Sequence, residues 1–285
     1  MIRMTSSSVR ATVSRRAARQ VWVYLVITYA IALGLALALP HSELAPLLSI
    51  FAPVTAVALT ILITLPRGQR RAAWAGVGFG LPAWRALVLA VVVPAIVVGL
   101  SFGLAAALGV ISFPTPGPGL ALGALQAVVT TLIFAVVFLG EEIGWRGFLL
   151  LRLCELMPGR SAAVLTGACH AIYHVPLLTL TTTYQYAGSR WIVVPMVMIT
   201  ITLAGVWYGW LRLRFGTIWP VSLSHSAFNH FMESVAGVAI VTSPAAMAYT
   251  TTETGCVTLI IVAALAVYLL TRRAQDFNAP DLVRQ

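Results

Sequence analysis

The sequence has little charge. Only 9% of its 285 residues are Asp, Glu, Lys or Arg, whereas soluble globular domains carry about 25%. Hydrophobic residues make up 60% of the chain, and its mean hydropathy is +0.94. This composition excludes an ordinary water-soluble domain. Several uncharged runs of about 20 residues are instead typical of helices that cross a bilayer.

Other features that the sequence lacks narrow its class further. There are no successive short segments of alternating polarity, which argues against a transmembrane β-barrel and favours helices. The three cysteines, Cys154, Cys169 and Cys256, are too far apart to indicate a disulfide framework or a C-x-x-C metal motif. Lysine is absent, so the net charge of +10 comes from arginines. Most of these lie at the ends of apolar runs, which indicates membrane topology and not nucleic-acid binding.

We predict an all-α polytopic membrane protein with about eight transmembrane helices. Residues 1–20 are predicted to form a basic cytoplasmic arm, residues 21–271 the membrane domain, and residues 272–285 a cytoplasmic tail. The first apolar run is too long for a typical signal peptide, which favours an uncleaved span. The predicted spans lie at about 21–40, 45–65, 86–111, 121–150, 161–180, 191–211, 218–242 and 255–271.

The arginines also predict the orientation. Of the 18 arginines, all except Arg146 and Arg190 fall in the termini or in loops on one side of the predicted bundle. Because positively charged loops stay in the cytoplasm, we predict a multi-pass protein of the cell membrane with both termini cytoplasmic.

Few ionisable residues remain inside the predicted spans, and they are concentrated on the fourth, fifth and seventh. A charged side chain in hydrocarbon costs several kcal/mol by most scales, so such residues are by default candidates for function. Pairing that merely holds helices together is the alternative. The candidates are Glu141, Glu142, Arg146, His170, His174, His225, His230 and Glu233.

Helical spacing indicates which of these side chains share a face. Glu142 and Arg146 are one turn apart and are expected to pair, whereas Glu141 is rotated by about 100° from Glu142. His225 and Asn229 are also one turn apart. From their depth along the spans, we expect these groups to converge on one polar cavity that opens to the cytosol. His230 and Glu233 are expected to form a structural polar pair.

Three short segments occur in a characteristic order. They are EEIGWR (141–146), HAIYHVP (170–176) and HSAFN (225–229). They resemble the EExxxR, FxxxH and HxxxN motifs of the CAAX protease and bacteriocin-processing (CPBP/ABI) family of intramembrane glutamic endopeptidases. The resemblance covers a motif core at about 120–235. One position departs from the pattern, because His170 stands where the family has Phe.

The resemblance implies a role for each matching residue. Glu141 is expected to be the general base, with His174 helping to polarise the attacking water. His225 and Asn229 are expected to stabilise the oxyanion. Peptide hydrolysis needs both functions. The implied substrate is a membrane-embedded or lipid-anchored peptide or protein within the lipid bilayer, with no cofactor and no nucleic acid.

Glu142 and Arg146 are implied to be supporting residues that fix the base. His170 is either a similar partner or a sign of bound metal. In a zinc metalloprotease, His170, His174 and His225 would be ligands and a glutamate the base. That alternative lacks an HExxH motif, and its glutamates lie on another helix.

A non-catalytic transporter or immunity protein on the same fold is the remaining alternative. Buried Glu, Arg and His side chains also line proton and ion paths. The sequence contains no recognisable inverted repeat, which weakens the transporter interpretation.

Overall fold

The computed structural model describes residues 6–115, 117–182 and 187–278, and for residues 6–13 it describes the backbone only. These residues form a helical bundle with one antiparallel pair of two-residue strands, β1 (Ile111–Ser112) and β2 (Ile240–Val241). A π-helical segment, Ile143–Leu149, joins α7 to α8, and a 3-10 turn covers Ala274–Phe277. The helices are α1 (Ser6–Ala38), α2 (Leu44–Ser49), α3 (Ala52–Thr64), α4 (Arg67–Ala75), α5 (Trp84–Ala107), α6 (Leu120–Val137), α7 (Leu139–Glu142), α8 (Leu150–Cys154), α9 (Gly159–Leu180), α10 (Arg190–Phe215), α11 (Trp219–Val238), α12 (Pro244–Thr250) and α13 (Cys256–Arg272).

The all-α polytopic membrane fold is confirmed. In the described ranges, six helical segments are long and apolar enough to cross a bilayer, and they correspond to the first six predicted spans. The predicted count of eight stays a prediction, because α11 carries several ionisable residues and α13 has only 17 residues. The six segments are Ser14–Ala38, Leu44–Thr64, Trp84–Ala107, Leu120–Cys154, Gly159–Leu180 and Arg190–Phe215.

One end of the bundle, here called the arginine-rich end, gathers the arginine-bearing connections. The backbone N–H of Ile218 donates to the carbonyl of Gly78 at 2.8 Å. The buried Arg212 guanidinium donates to the carbonyls of Gly76 and Val77 at 3.0 and 3.1 Å. Gly78 has φ +94°, and a Cβ there would lie 2.7 Å from Arg212 Nη2. The chain therefore needs glycine at this turn.

The other connections meet at the opposite end. The Thr182 N–H donates to the Pro40 carbonyl at 2.8 Å, and β1 pairs with β2. The connections after α1, α5, α9 and α11 thus lie at the end away from the arginine-bearing loops. This alternation agrees with the topology predicted from the arginines.

The segment that follows α6 forms the centre of the bundle. Every residue from 138 to 151 is buried, whereas most of α6 is exposed on the outside of the bundle. Glycines allow this burial: a Cβ at Gly140 would lie 2.6 Å from the Ile50 carbonyl oxygen, and one at Gly144 would overlap Pro53. Other helices therefore approach the fourth span closely at these glycines.

The two terminal segments contain more structure than the sequence indicated. Helix α1 runs without a break through residue 20, the predicted end of the basic arm. In the described part of the predicted tail, Phe277 is buried and Asp276 accepts a hydrogen bond from the Trp210 indole N–H at 3.2 Å. Residues 1–5 and 279–285 lie outside the described residues.

Candidate active site

Glu141, Glu142 and Arg146 lie where the fourth span changes from α-helix to π-helix. The two glutamates end α7, and Arg146 sits in the middle of the π-helical segment Ile143–Leu149. Short π-helical segments inside α-helices are frequent at functional sites. All three side chains are buried, with Glu142 and Arg146 fully inaccessible. The hydropathy pattern of the sequence contained no signal for the π-helical segment.

Glu142 is paired, as the helical spacing predicted. Its carboxylate oxygens accept from Arg146 Nη1 at 2.9 and 3.1 Å, and His225 Nδ1 donates to Oε1 at 2.8 Å. The Arg146 guanidinium also lies 5.0 Å from the centre of the Tyr208 ring, within cation–π distance. A buried carboxylate with these partners is compensated for its loss of hydration.

Glu141 contacts a different partner. Its Oε2 lies 2.8 Å from His170 Nε2, and His170 Nδ1 lies 3.2 Å from Arg146 Nη1. A guanidinium can only donate, so His170 Nδ1 must accept that bond. The proton of the neutral imidazole is then on Nε2, which donates to Glu141. Arg146 and His170 thereby link the two glutamates through one buried chain of hydrogen bonds.

His174 lies beside this pair. Its Nε2 is 3.3 Å from His170 Nε2. In the part of the chain that the structure describes, Glu141, His170 and His174 form the group whose potential metal-ligating atoms all lie within 4.8 Å of one another. His225 is not in this group and instead contacts Glu142. A three-histidine zinc set of the kind considered from the sequence is therefore not assembled in this geometry.

A cavity of about 200 Å³ lies against this cluster. His174, His225 and Asn229 line it, as does His170. Glu141 is not part of the lining, but its carboxylate contacts His170, which is. The histidines and Asn229 predicted from the motifs are thus brought together in the lining of one cavity.

The cavity does not open where the sequence led us to expect. Its lining continues from the histidines to Leu178, Glu233 and Glu253. Leu178 lies two residues before the end of α9, and Glu253 lies between α12 and α13. Both positions are at the end opposite the arginine-rich end. The expectation of a cavity that opens toward the arginine-bearing loops is therefore wrong, because the lining extends from the histidines toward the other end of the bundle.

The ring of His225 is fixed from both sides. It stacks between Phe138, at 4.4 Å between ring centres, and Tyr208, at 5.4 Å. Its Nδ1 bonds to Glu142, while its Nε2 has no hydrogen-bond partner among the described residues. Asn229 lies one turn further along α11, half-buried on the cavity wall.

Tyr208 belongs to the site although sequence reasoning missed it. It lies in the segment GVWYG, whose glycines are typical of helix packing and do not by themselves indicate a site. Helices do pack closely there, because a Cβ at Gly205 would lie 2.5 Å from Gly167 Cα and 3.2 Å from Arg146 Nη2. The same close approach of α9 and α10 brings Tyr208 to Arg146 and His225.

The predicted pair of His230 and Glu233 is wrong. His230 Nδ1 lies 2.9 Å from the Ser226 carbonyl, to which it can donate within its own helix. Glu233 is exposed and lines the cavity. No hydrogen bond or ion pair joins the two side chains in the described residues: the His230 ring packs against Phe134, with 4.7 Å between ring centres, while Glu233 faces the cavity.

The fold and the site together define a multi-pass membrane protein with a buried carboxylate–histidine centre beside a cavity. A family model described as Type II CAAX prenyl endopeptidase Rce1-like matches residues 123–231, a range that contains all three motifs. The match confirms, for these residues, the resemblance to CAAX proteases that the three motifs indicated. A family of this description suggests a protease. No curated protein matches the chain.

Proposed function

We propose that this protein is an intramembrane endopeptidase in which Glu141 activates water to hydrolyse peptide bonds of membrane-embedded or lipid-anchored substrates. The observation that carries the proposal is the difference between the two glutamates. Glu142 is neutralised by Arg146, whereas Glu141 accepts one hydrogen bond from a neutral histidine beside the cavity. Glu141 is therefore the carboxylate that remains available to take a proton.

The reaction is ordinary amide hydrolysis. Water attacks the peptide carbonyl while Glu141 takes its proton, and His174 orients the water. His225 and Asn229 donate hydrogen bonds to the oxyanion of the tetrahedral intermediate. The C–N bond then breaks, and the proton held by Glu141 passes to the leaving amine.

Glu142 and Arg146 support this reaction without taking part in proton transfer. His225 can donate from Nε2 to an oxyanion only when its ring is protonated on both nitrogens. The Glu142 carboxylate, 2.8 Å from Nδ1, holds the ring in place, and Arg146 in turn pairs with Glu142.

A mechanism without metal is part of the proposal. Glu141, His170 and His174 have ligand chemistry suited to zinc, which would supply a Lewis acid and a metal-bound water. However, Arg146 donates to His170 Nδ1, and this places the imidazole proton on Nε2, the atom that faces the other two residues. That atom has no lone pair for a metal in this arrangement, which supports metal-independent hydrolysis.

The proposal is tested with the full chain in liposomes. The substrates are peptides that carry a membrane-spanning or lipid-anchored segment, and the readout is mass spectrometry of the products. We expect cleavage that resists chelators, by protein that contains no stoichiometric zinc in elemental analysis. Zinc at one equivalent, lost together with activity on chelation, would reject the metal-independent mechanism. Absence of cleavage of every substrate would reject the protease.

The orientation in the membrane is also proposed. Both termini are expected in the cytoplasm, because the arginine-bearing loops gather at their end of the bundle. Reporter fusions at residues 16 and 275 should both give a cytoplasmic signal. An extracytoplasmic signal from either fusion would contradict it.

A further inference from the structure

The arginine-rich end contains a second concave site, far along the chain from the catalytic motifs. It is a groove of about 420 Å³ between the start of α1 and the corner that joins α3 to α4. We call it the arginine groove. Its lining consists of Arg15, Arg16, Arg19, Thr64, Pro66 and Gln69, with no acidic residue.

Hydrogen bonds hold the two walls of the arginine groove together. Arg16 Nη2 donates to Gln69 Oε1 at 2.6 Å, and Gln20 Nε2 donates to Thr64 Oγ1 at 3.2 Å. The groove is thus built by contacts between elements 44 to 53 residues apart in sequence, and not by a single basic helix.

Two guanidinium groups of the groove are available for a ligand. Arg15 and Arg19 are exposed and, among the described residues, make no hydrogen bond or ion pair. Glu155 does not neutralise them, because it is ion-paired with Arg152. Burial raises the pKa of Glu155, and the nearby Arg152 and Arg16 only partly oppose that rise.

The same face of α1 continues from the groove as an apolar stripe. The residues of this face follow one another at intervals of three, four or seven positions, so they lie along one side of the helix. They are Arg15, Arg19, Trp22, Val26 and Leu33. Trp22 is 70% exposed, Val26 63% and Leu33 43%. One side of α1 therefore carries two unpaired guanidiniums, then an interfacial tryptophan, then aliphatic side chains.

We propose that the arginine groove binds the phosphate-bearing headgroup of an anionic phospholipid, whose acyl chains lie along this stripe of α1. Guanidinium groups bind phosphate oxygens through paired, charge-assisted hydrogen bonds. A soluble phosphate would use the arginines but would leave the stripe without a role. This site is independent of the proposed proteolytic function.

The test compares two double variants with the same loss of charge. Arg15→Gln with Arg19→Gln removes the unpaired groups of the groove. Arg272→Gln with Arg273→Gln removes two exposed arginines at the same end of the bundle. The full chain in neutral detergent is titrated with phosphatidylglycerol, with phosphatidylcholine of the same acyl chains, and with inorganic phosphate. Native mass spectrometry counts the bound molecules, and thermal unfolding of lipid-free protein checks that each variant folds.

We expect phosphatidylglycerol to bind to the wild type in preference to phosphatidylcholine. The groove variant should lose about 30-fold in affinity, since each arginine near an anionic headgroup contributes ~1 kcal/mol. The control variant should stay within about twofold of the wild type. Equal losses in both variants would show general surface attraction and overturn the site. Equal binding of both lipids, or inorganic phosphate that displaces the lipid at low concentration, would overturn the assignment to a phospholipid.

Discussion

The two halves of the buried polar cluster differ in how completely their carboxylates are compensated. Glu142 accepts hydrogen bonds from Arg146 and His225, and the Arg146 guanidinium also lies over the Tyr208 ring. Glu141, the preceding residue, accepts from His170 alone among the described side chains. Adjacent residues on one helix thus meet opposite environments because the helix turns by about 100° between them. In the proposed mechanism, the pairing of Glu142 serves structure, and the sparser contacts of Glu141 leave it able to take a proton.

The largest effect is expected from Glu141→Gln. An amide nearly conserves the shape of the side chain but cannot take a proton, so cleavage should fall by about 10²–10⁴-fold. The melting temperature should change little. Cleavage in liposomes and thermal unfolding in detergent measure the two properties. Glu43→Gln, an exposed change in the connection between α1 and α2, serves as the control and should retain full activity. Wild-type cleavage by Glu141→Gln would reject the proposed mechanism.

Glu142→Gln should lower the stability of the protein, whereas Glu141→Gln should lower its activity alone. It leaves the buried Arg146 without its carboxylate, and breaking a buried ion pair costs about 3–5 kcal/mol. We expect poorer expression and a lower melting temperature, together with reduced activity. If Glu142→Gln melts like the wild type while Glu141→Gln is the destabilised variant, the roles of the two glutamates are exchanged.

Asn229→Ala tests a residue that lines the cavity. Asn229 is half-buried and makes no hydrogen bond in the described residues, so its loss should not destabilise the fold. Removal of an oxyanion donor typically lowers kcat by about 10²–10³-fold. A reduced kcat with unchanged KM and melting temperature is expected. A purely raised KM would instead assign Asn229 to substrate binding.

The smallest effect is expected from His170, which joins the two halves. His170→Phe restores the residue that the related motif carries, but Glu141 then loses its hydrogen-bond donor. Hydrogen bonds to charged groups contribute about 1.5–3 kcal/mol, so kcat should fall by roughly 10–100-fold while cleavage remains measurable. His174→Ala belongs with the large effects, because it removes the group proposed to orient the water, and it should lower cleavage as far as Glu141→Gln does.

His170→Gln provides the matched control for His170→Phe. Its amide can accept from Arg146 and donate to Glu141, so we expect it to recover part of the lost kcat at unchanged KM. If Phe and Gln give equal rates, the hydrogen bond through His170 contributes nothing to the reaction.

The features predictable from sequence were those confined to one helix. The spacing of one helical turn predicted the contact between Glu142 and Arg146 and the shared face of His225 and Asn229, and both are present in the structure. The family match adds that residues 123–231 are the Rce1-like part. Apolar length and composition likewise sufficed for the six spans.

The features that sequence could not predict depend on contacts between helices. The partner of Glu141 is His170, 29 positions further along the chain, and Tyr208 reaches Arg146 only because α9 and α10 approach closely at Gly167 and Gly205. Crossing angles and rotations set such contacts, and one sequence does not encode them in any simple period. The mouth of the cavity was mispredicted for the same reason.

The π-helical segment Ile143–Leu149 has a consequence for the spacing of residues in this chain. A π-helical turn accommodates one residue more than an α-helical turn, so the side chains of α8 are out of phase with those of α6 and α7. Deleting one residue from this segment would let the helix become regular. The buried glutamates would then rotate away from His170 and His225, even though every motif letter outside the deletion was kept. The geometry of the site therefore depends on the number of residues between the glutamates and α8 as well as on which residues they are.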